Sequence, residues 1–218
     1  VEEAINLSIG NEDSYIPTGT TVIEFHLEEL KSLDGESSLA RNIDLSIRGA
    51  EKVVIVGKNG MGKTTLLKLI YEQLKNRKDL KVIYMPQNYE DSLDLSLSPV
   101  QFLNESGERE KDTKIRTHLG SLKFTADERN HAMADLSGGQ KAKVLLLKMS
   151  LEEVNVLVLD EPTRNFSPLS GPVIRSLFKE FKGAIISISH DRKYIHEVID
   201  TIYELKEDGL KKNTSRVL

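Results

Sequence analysis

The feature that most constrains the fold is a glycine-rich loop between an apolar run and an amphipathic segment. The run Val53–Val56 is short, continuous and β-branched, which is typical of a strand buried in a parallel sheet. The loop Gly57–Thr65 reads GKNGMGKTT and fits the pattern G-x-x-x-x-G-K-[ST]. Apolar residues then recur at helical spacing through Lys63–Leu74. The order strand, loop, helix predicts a phosphate-binding site at the start of the helix.

The loop residues match the needs of a bound nucleotide such as ATP. Its glycines let backbone N–H groups curl around phosphate oxygens without clashes from Cβ atoms. We expect the ammonium group of Lys63 to contact the transferred phosphate and the hydroxyl of Thr64 to bind Mg²⁺. The predicted nucleotide-binding residues of this loop are Gly57, Lys58, Asn59, Gly60, Met61, Gly62, Lys63, Thr64 and Thr65.

Two acidic residues end a later apolar strand, VLVLDE. A solvated carboxylate would be unusual at the end of such a strand, so we expect Asp160 to face the metal. Glu161 can reach the terminal phosphate and accept a proton from an attacking water, which is the role of a general base. Acidic residues at a strand end are also common in turns, but the phosphate loop favours the catalytic interpretation.

Two more polar residues directly follow predicted strands. Gln87 comes after Lys81–Met85 and could reach both Mg²⁺ and the attacking water. His190 comes after Ala184–Ser189 and could donate a hydrogen bond to the phosphate or the water. The alternatives are a surface amide and a structural histidine. Both assignments rest mainly on the order of the residues in the chain.

A second glycine-rich helix start occurs far along the chain, where Leu136–Gln140 reads LSGGQ. The start of a helix attracts anions, although Ser-Gly-Gly alone is also a common helix cap. One domain cannot easily wrap both loops around one nucleotide, so we expect two domains to pair head to tail. Each site would then combine the Gly57 loop of one domain with four residues of the other: Ser137, Gly138, Gly139 and Gln140.

The remaining pattern predicts the organisation of the domain. Thr21–Leu30 and Leu39–Ile47 alternate around a turn and indicate an antiparallel pair of strands. Short helices beginning near Ser98-Pro99 and Thr125 predict a small helical lobe at about residues 88–140. Strands and helices alternate afterwards, which indicates a doubly wound sheet. The predicted domain covers residues 21–218, and residues 1–20 are predicted to be a linker end or tail.

Composition excludes several classes of protein. The 218 residues suit one domain, and the lack of cysteine excludes disulfides and thiolate metal sites. No apolar run approaches 18 residues, so no membrane-spanning segment is expected, and we expect a cytoplasmic chain. A net charge of −4 offers no general basic field for nucleic acid. Because Val1 is neither an initiator methionine nor part of a leader, we expect a piece of a longer protein.

With these motifs in one order, the chain resembles the nucleotide-binding domain of the ATP-binding cassette (ABC) superfamily over roughly Thr21 to Lys211. The resemblance implies an α/β P-loop fold of the ABC type. Its central, mainly parallel sheet would carry an antiparallel β subdomain and a small α-helical lobe. The resemblance also implies Mg²⁺-dependent ATP hydrolysis between two cassettes, with catalytic Glu161, His190 and Gln87, and with Thr64, Gln87 and Asp160 at the metal.

The stretch Asp160–Arg175, DEPTRNFSPLSGPVIR, resembles the second cassette of ABC-F proteins, most of all the antibiotic-resistance group that protects ribosomes. This resemblance implies a second cassette as partner, in the parent chain or in a homodimer, and the ribosome as a further partner. An interdomain linker would lie just upstream of Val1. One alternative is the ATPase subunit of a membrane transporter. Another is a cassette that binds ATP structurally while its partner hydrolyses it, but the intact Lys63, Glu161 and His190 argue against this.

Two positions depart from the pattern of the superfamily. Ser167 stands where most cassettes have an aspartate, which we interpret as a mark of the subgroup. Near Leu33 the sequence lacks the aromatic residue that usually stacks on adenine. We therefore expect weak base selectivity, with comparable binding of ATP and GTP.

Overall fold

Parallel strands form the centre of the structure, a computed structural model that describes residues 7–218. Within these residues six strands pair in the order β4-β5-β6-β3-β7-β8, and all neighbours are parallel except β7 and β8. The elements are β1 Thr21–Lys31, β2 Ser38–Arg48, β3 Lys52–Val56, α1 Lys63–Leu74, β4 Val82–Met85, α2 Pro99–Leu103, α3 Arg109–Ser121, α4 Ala126–Asn130, α5 Gly138–Leu151, β5 Val156–Asp160, α6 Gly171–Glu180, β6 Ala184–Ile188, α7 Arg192–Val198, β7 Thr201–Lys206 and β8 Gly209–Asn213.

The inner strands of this sheet are buried on both faces. Every residue of β5 and β6 is buried, which explains why their sequences are apolar throughout rather than alternating. Since parallel strands point the same way, the segments that follow β3, β4, β5 and β6 lie along one edge of the sheet. Ligands bind at this edge in α/β folds.

The antiparallel pair predicted from alternation is present as β1 and β2, with Phe25 opposite Leu45. This ribbon packs against the glycine-rich loop. A Cβ atom at Gly62 would lie 2.9 Å from Cδ1 of Leu39 and 3.1 Å from Cδ2 of Leu30. Glycine is therefore required at position 62 by the close approach of the β subdomain, in addition to its positive φ of 86°.

The helical lobe contains both predicted helix starts. Ser98 and Thr125 each form a capping box, with Gln101 and Glu128 as the returning side chains. Between them lies α3, which the sequence pattern did not predict because its buried residues are few, namely Ile115 and Leu119. The edge strand β8, GLKKN, was also not predicted because it is mostly polar.

The segment predicted to be a linker end or tail is described from residue 7 onward, and residues 1–6 lie outside the described part. Ile9 and Ile16 of this segment are 5% and 2% exposed and belong to the hydrophobic core. Whether it also forms the end of a linker stays a prediction. Among residues 7–218, no helix has the length and apolar character needed to cross a bilayer.

Helix α1 supports the loop that it follows, so its packing against the sheet can be tested by paired substitutions. Leu67 is 0% exposed, whereas Leu69 on the same helix is 39% exposed. We expect Leu67→Ala to lower the free energy of unfolding by about 2–5 kcal/mol because it leaves a cavity. Leu69→Ala, the matched control, should lower it by less than about 1 kcal/mol. Equal losses in urea denaturation would contradict this packing.

Candidate active site

A cleft of about 270 Å³ lies at the carboxyl edge of the sheet. It brings together residues from four separate segments of the chain, which lie at or just beyond the ends of β3, β4, β5 and β6. Its lining comprises Asn59, Gly60, Gly62, Lys63, Thr64, Thr65, Gln87, Asp160, Glu161, Ile188 and His190. The other predicted loop residues, Gly57, Lys58 and Met61, line two adjoining clefts of about 440 and 510 Å³.

The loop backbone depends on its glycines at two kinds of position. Gly57 has φ 156°, and a Cβ atom there would lie 3.0 Å from the carbonyl oxygen of Leu205. Gly60 has φ 83° with open space where its Cβ would be, so its requirement is conformational rather than steric. Gly57 therefore lets the loop pass close to β7, and Gly60 lets it turn back towards α1.

The side chain of Lys63 lies under the loop with only 8% of the residue exposed. Its Nζ donates hydrogen bonds to the carbonyl oxygens of Gly57 at 2.6 Å and Lys58 at 3.0 Å. Burial lowers the pKa of Lys63 below its ordinary value, while the nearby carboxylates of Glu161 and Asp160 act in the opposite direction. The lysine is thus held at the cleft as a nearly buried cation.

The start of α1 fits an anionic group. In the described chain no side chain caps this helix start, and its first turn contains no acidic residue. The first N–H groups of a helix have no partner within the helix and carry the positive end of its dipole. With the Lys63 ammonium beside them, these groups can hold the phosphates of a nucleotide.

A buried carboxylate and a hydroxyl form a direct hydrogen bond in the wall of the cleft. Thr64 Oγ1 donates a hydrogen bond of 2.8 Å to Oδ2 of Asp160, which is 2% exposed. Burial raises the pKa of Asp160 above its ordinary value, whereas the hydrogen bond from Thr64 acts to lower it. Carboxylate and hydroxyl oxygens are donors that Mg²⁺ prefers, so this pair fits the metal. Gln87 lies at the exposed rim of the same cleft.

Glu161 and His190 contact each other directly. An oxygen of the Glu161 carboxylate touches Nδ1 of His190, and the other accepts a 3.3 Å hydrogen bond from the His190 backbone N–H. The glutamate side chain is 14% exposed and the histidine side chain 59%. Two chain segments separated in sequence therefore orient one carboxylate at the cleft.

The backbone of Glu161 has a left-handed φ of 50°, which is unfavourable for a residue with a side chain. Its N–H donates to the carbonyl oxygen of Ile188 at 2.9 Å, beyond the last paired residue of β5. Sheet pairing and the turn thus set the direction in which the carboxylate leaves the strand.

The residues of the second glycine-rich motif lie outside this cleft. Ser137 caps α5, its hydroxyl accepting from the N–H of Gln140 at 3.2 Å, while Oε1 of Gln140 accepts from the N–H of Ser137 at 3.0 Å. Gly138 and Gly139 pack against Asn165 instead of the phosphate loop. One chain therefore does not place both glycine-rich motifs around one cavity.

Sequence reasoning missed one supporting contact of the site. Thr163 donates a 2.8 Å hydrogen bond to Asp191, whose other carboxylate oxygen caps α7 by accepting from Lys193 and Tyr194. This contact ties the segment after Glu161 to the segment after His190. An Asp before a helix signals a cap, but nothing local to Thr163 indicates its partner.

The two departures noted in the sequence are both on loops. Leu33 lies in the turn between β1 and β2 and is 92% exposed. Ser167 forms a 3.0 Å hydrogen bond between its hydroxyl and that of Ser170, near the start of α6. The position of Leu33 offers a side chain for contact but no aromatic face for stacking.

Comparison with known proteins identifies the family of this chain. The family described as "ABC transporter" matches residues 40–164, which is more than half of the chain. The chain belongs to the ABC transporter family. This agrees with the resemblance of the motifs, and ATP hydrolysis is the standard activity of the family's cassettes.

The curated relatives include ABC-F proteins. ABC transporter F family member 5 of Arabidopsis thaliana is 34% identical over 182 residues, covering 80% of this chain and 26% of the relative. Protein GCN20 of Saccharomyces cerevisiae is 32% identical over 186 residues, covering 82% and 25%. The probable ATP-binding protein YheS of Escherichia coli is 29% identical over 184 residues, covering 81% and 29%. The ABC-F resemblance is confirmed, although the chain spans only about a quarter of the length of these relatives.

Solved structures share the fold. The ATP-binding cassette MJ0796, solved as a dimer in a post-hydrolysis state bound to ADP and Pi, superposes with a TM-score of 0.70. It is 19% identical, and the alignment covers 90% of this chain and all of that one. The predicted α/β fold of the ABC type is thereby confirmed.

The buried carboxylate of Asp160 predicts a pH dependence of stability. A raised pKa in the folded state means that protonated Asp160 stabilises the fold at acid pH, and this contribution is lost as the pH rises through the folded-state pKa. In EDTA, Asp160→Asn should therefore increase the free energy of unfolding at pH 7.5, and by less at pH 4. Urea denaturation measures both values, with the exposed Asp135→Asn as control. A loss of stability at pH 7.5 would refute this expectation.

Proposed function

We propose that this chain is an ATP-hydrolysing cassette of an ABC-F type ATPase that acts on the ribosome in the cytoplasm, in translation or antibiotic resistance. The main support for ATP hydrolysis is the cleft that Lys63, Asp160, Glu161 and His190 line together. The Lys63 ammonium, the oxygens of Thr64 and Asp160, and the carboxylate of Glu161 lie around one cavity at the start of α1. This combination suits the hydrolysis of a phosphoanhydride.

The loop residues bind the phosphates in this proposal. Backbone N–H groups from Gly60 to Thr65 donate to phosphate oxygens, and Lys63 exchanges its two carbonyl acceptors for the terminal phosphate. Thr64, Asp160 and Gln87 would hold Mg²⁺, which would neutralise charge that develops on the phosphates. The short distance between Thr64 and Asp160 supports their shared role.

Glu161 serves as general base, accepting a proton from the water that attacks the terminal phosphate. His190 holds this carboxylate through Nδ1, which leaves its Nε2 to face the phosphate or the water. The left-handed backbone of Glu161 supports this role, because backbone strain of this kind concentrates at functional sites.

The complete site requires a second cassette. Ser137, Gly138, Gly139 and Gln140 lie outside the cleft of their own chain, so they are available to a nucleotide bound by a partner. The helix start that they form is suited to a phosphate. The cassette MJ0796, which shares this fold, was solved as a dimer. In the parent protein the partner is a second cassette, and for the isolated chain it is another copy.

Support for the ABC-F branch and the ribosome comes from sequence. Relatives at about 30% identity are named as ABC transporter F family members, and the stretch Asp160–Arg175 resembles the second cassette of ribosome-protecting proteins. Ribosome binding therefore rests on family resemblance, unlike the proposed chemistry, which also rests on the cleft.

The role of Glu161 predicts a separation of binding from hydrolysis. Glu161→Gln keeps the size of the side chain and removes its ability to accept a proton, so we expect turnover to fall by about 10²- to 10⁴-fold. ATP binding should stay within about threefold of the unmodified protein. Steady-state hydrolysis and equilibrium binding measure the two effects. Glu153→Gln, whose side chain is 77% exposed, is the control; unchanged turnover in Glu161→Gln would remove Glu161 from its role.

The ribosomal role can be tested separately with the parent protein carrying Glu161→Gln. The variant is expected to stay in its ATP-bound form and to co-sediment with ribosomes on a sucrose gradient only when ATP is present. Omission of ATP is the control. Sedimentation with membranes and not with ribosomes would instead favour the ATPase subunit of a transporter.

A further inference from the structure

Asn165 lies at a junction of three segments around the site, and no role is predicted for it from the sequence. It follows Glu161 in a turn held by hydrogen bonds from Arg164 N–H to Glu161 oxygen at 3.2 Å and from Phe166 N–H to Thr163 oxygen at 3.3 Å. Because Thr163 also bonds Asp191, this turn is attached to both sides of the Glu161–His190 contact. Hydrogen bonds of this turn therefore connect Asn165 to the backbone that carries Glu161.

The side chain of Asn165 reaches the segment that carries Gln87. Its Nδ2 donates a 2.5 Å hydrogen bond to the hydroxyl of Tyr89, which is 8% exposed. Tyr89 lies two residues beyond Gln87 and starts a 3₁₀ helix that ends at Asp91. This hydrogen bond joins the segments after β4 and β5, whose motif residues Gln87 and Glu161 line the same cleft.

The backbone of Asn165 also contacts the start of α5. A Cβ atom at Gly139 would lie 3.0 Å from the carbonyl oxygen of Asn165, and one at Gly138 would lie 3.4 Å from its Oδ1. The glycine at position 139 therefore allows the helix start to pack closely on this residue, whereas a Cβ at position 138 would make an ordinary contact. Asn165 thus contacts the motif proposed to complete the site of a partner cassette.

We propose that the hydrogen bond between Tyr89 and Asn165 acts as a latch. Tyr89 and Asn165 are then positioning residues, which hold Gln87 and Glu161 in the relative positions that hydrolysis requires. The inference rests on the proposed function and adds residues to it. Neither side chain lines the 270 Å³ cleft, so the latch acts through the segments that it joins. Its loss should reduce turnover much more than nucleotide affinity, because the phosphate loop is untouched.

Substitutions at both ends of the latch test this role. Tyr89→Phe keeps the buried ring, and Asn165→Ala removes the amide. Each is expected to lower kcat about 3- to 10-fold with KM within about twofold, and the double variant should lose no more than the stronger single variant. Asn165→Asp can accept a hydrogen bond from the Tyr89 hydroxyl and should recover most of kcat. Tyr15→Phe, at a tyrosine that is 55% exposed, is the control.

Amide hydrogen exchange tests the latch without relying on hydrolysis. The N–H groups of Asp91, Ser92 and Leu93 donate to carbonyl oxygens of Asn88 and Tyr89. We expect them to exchange faster in Tyr89→Phe and Asn165→Ala than in the unmodified protein and in Tyr15→Phe.

The two readouts separate failure of the latch from failure of the proposed function. Unchanged exchange overturns the latch, even if the unmodified protein proves to have no ATPase activity. Faster exchange with unchanged kcat overturns the positioning role, and so does a double variant whose loss equals the product of the single losses. Lack of turnover in the unmodified protein counts against the proposed function. In that case amide hydrogen exchange by itself tests whether the latch exists.

Discussion

The parallel pairing of β5 with β6 is the constraint on which the site depends. Asp160 pairs with Ile188 at the end of the two strands, and the next N–H, that of Glu161, donates to the carbonyl oxygen of Ile188. A shift of one residue in this register would move every side chain of β5 to the opposite face of the sheet. The register therefore places Asp160 in the buried floor of the cleft and brings Glu161 within reach of His190.

Charges of opposite sign are gathered at this edge with little access to water. Lys63 is 8% exposed and Asp160 is 2% exposed, and burial lowers the pKa of the first and raises that of the second. Desolvation disfavours the charged form of each group, so the site is electrostatically unfavourable for the domain by itself. An electrostatic cost of this kind is common at preorganised polar sites.

The contacts of Asn165 extend from this cleft to the glycine-rich start of α5. One residue bonds the Gln87 segment and packs against the glycines that open α5. If two cassettes share each site, a change at Glu161 can reach the partner's nucleotide through this short path. The latch between Tyr89 and Asn165 connects the Gln87 segment to this path by a hydrogen bond, in keeping with coupling through contiguous contacts.

The sequence by itself determined which residue types line the cleft and most of the elements around it. The glycines of the loop, the caps at Ser98, Thr125 and Ser137, and the apolar strands reflect local needs of the backbone, which a sequence pattern records directly. Only the tertiary structure decided which residues meet. Thr64 with Asp160, Glu161 with His190 and Tyr89 with Asn165 are contacts between distant segments. They depend on strand order and register, and the packing of the whole core sets both. The polar strand β8 and helix α3 form for the same reason, since their neighbours stabilise what their own sequences favour only weakly.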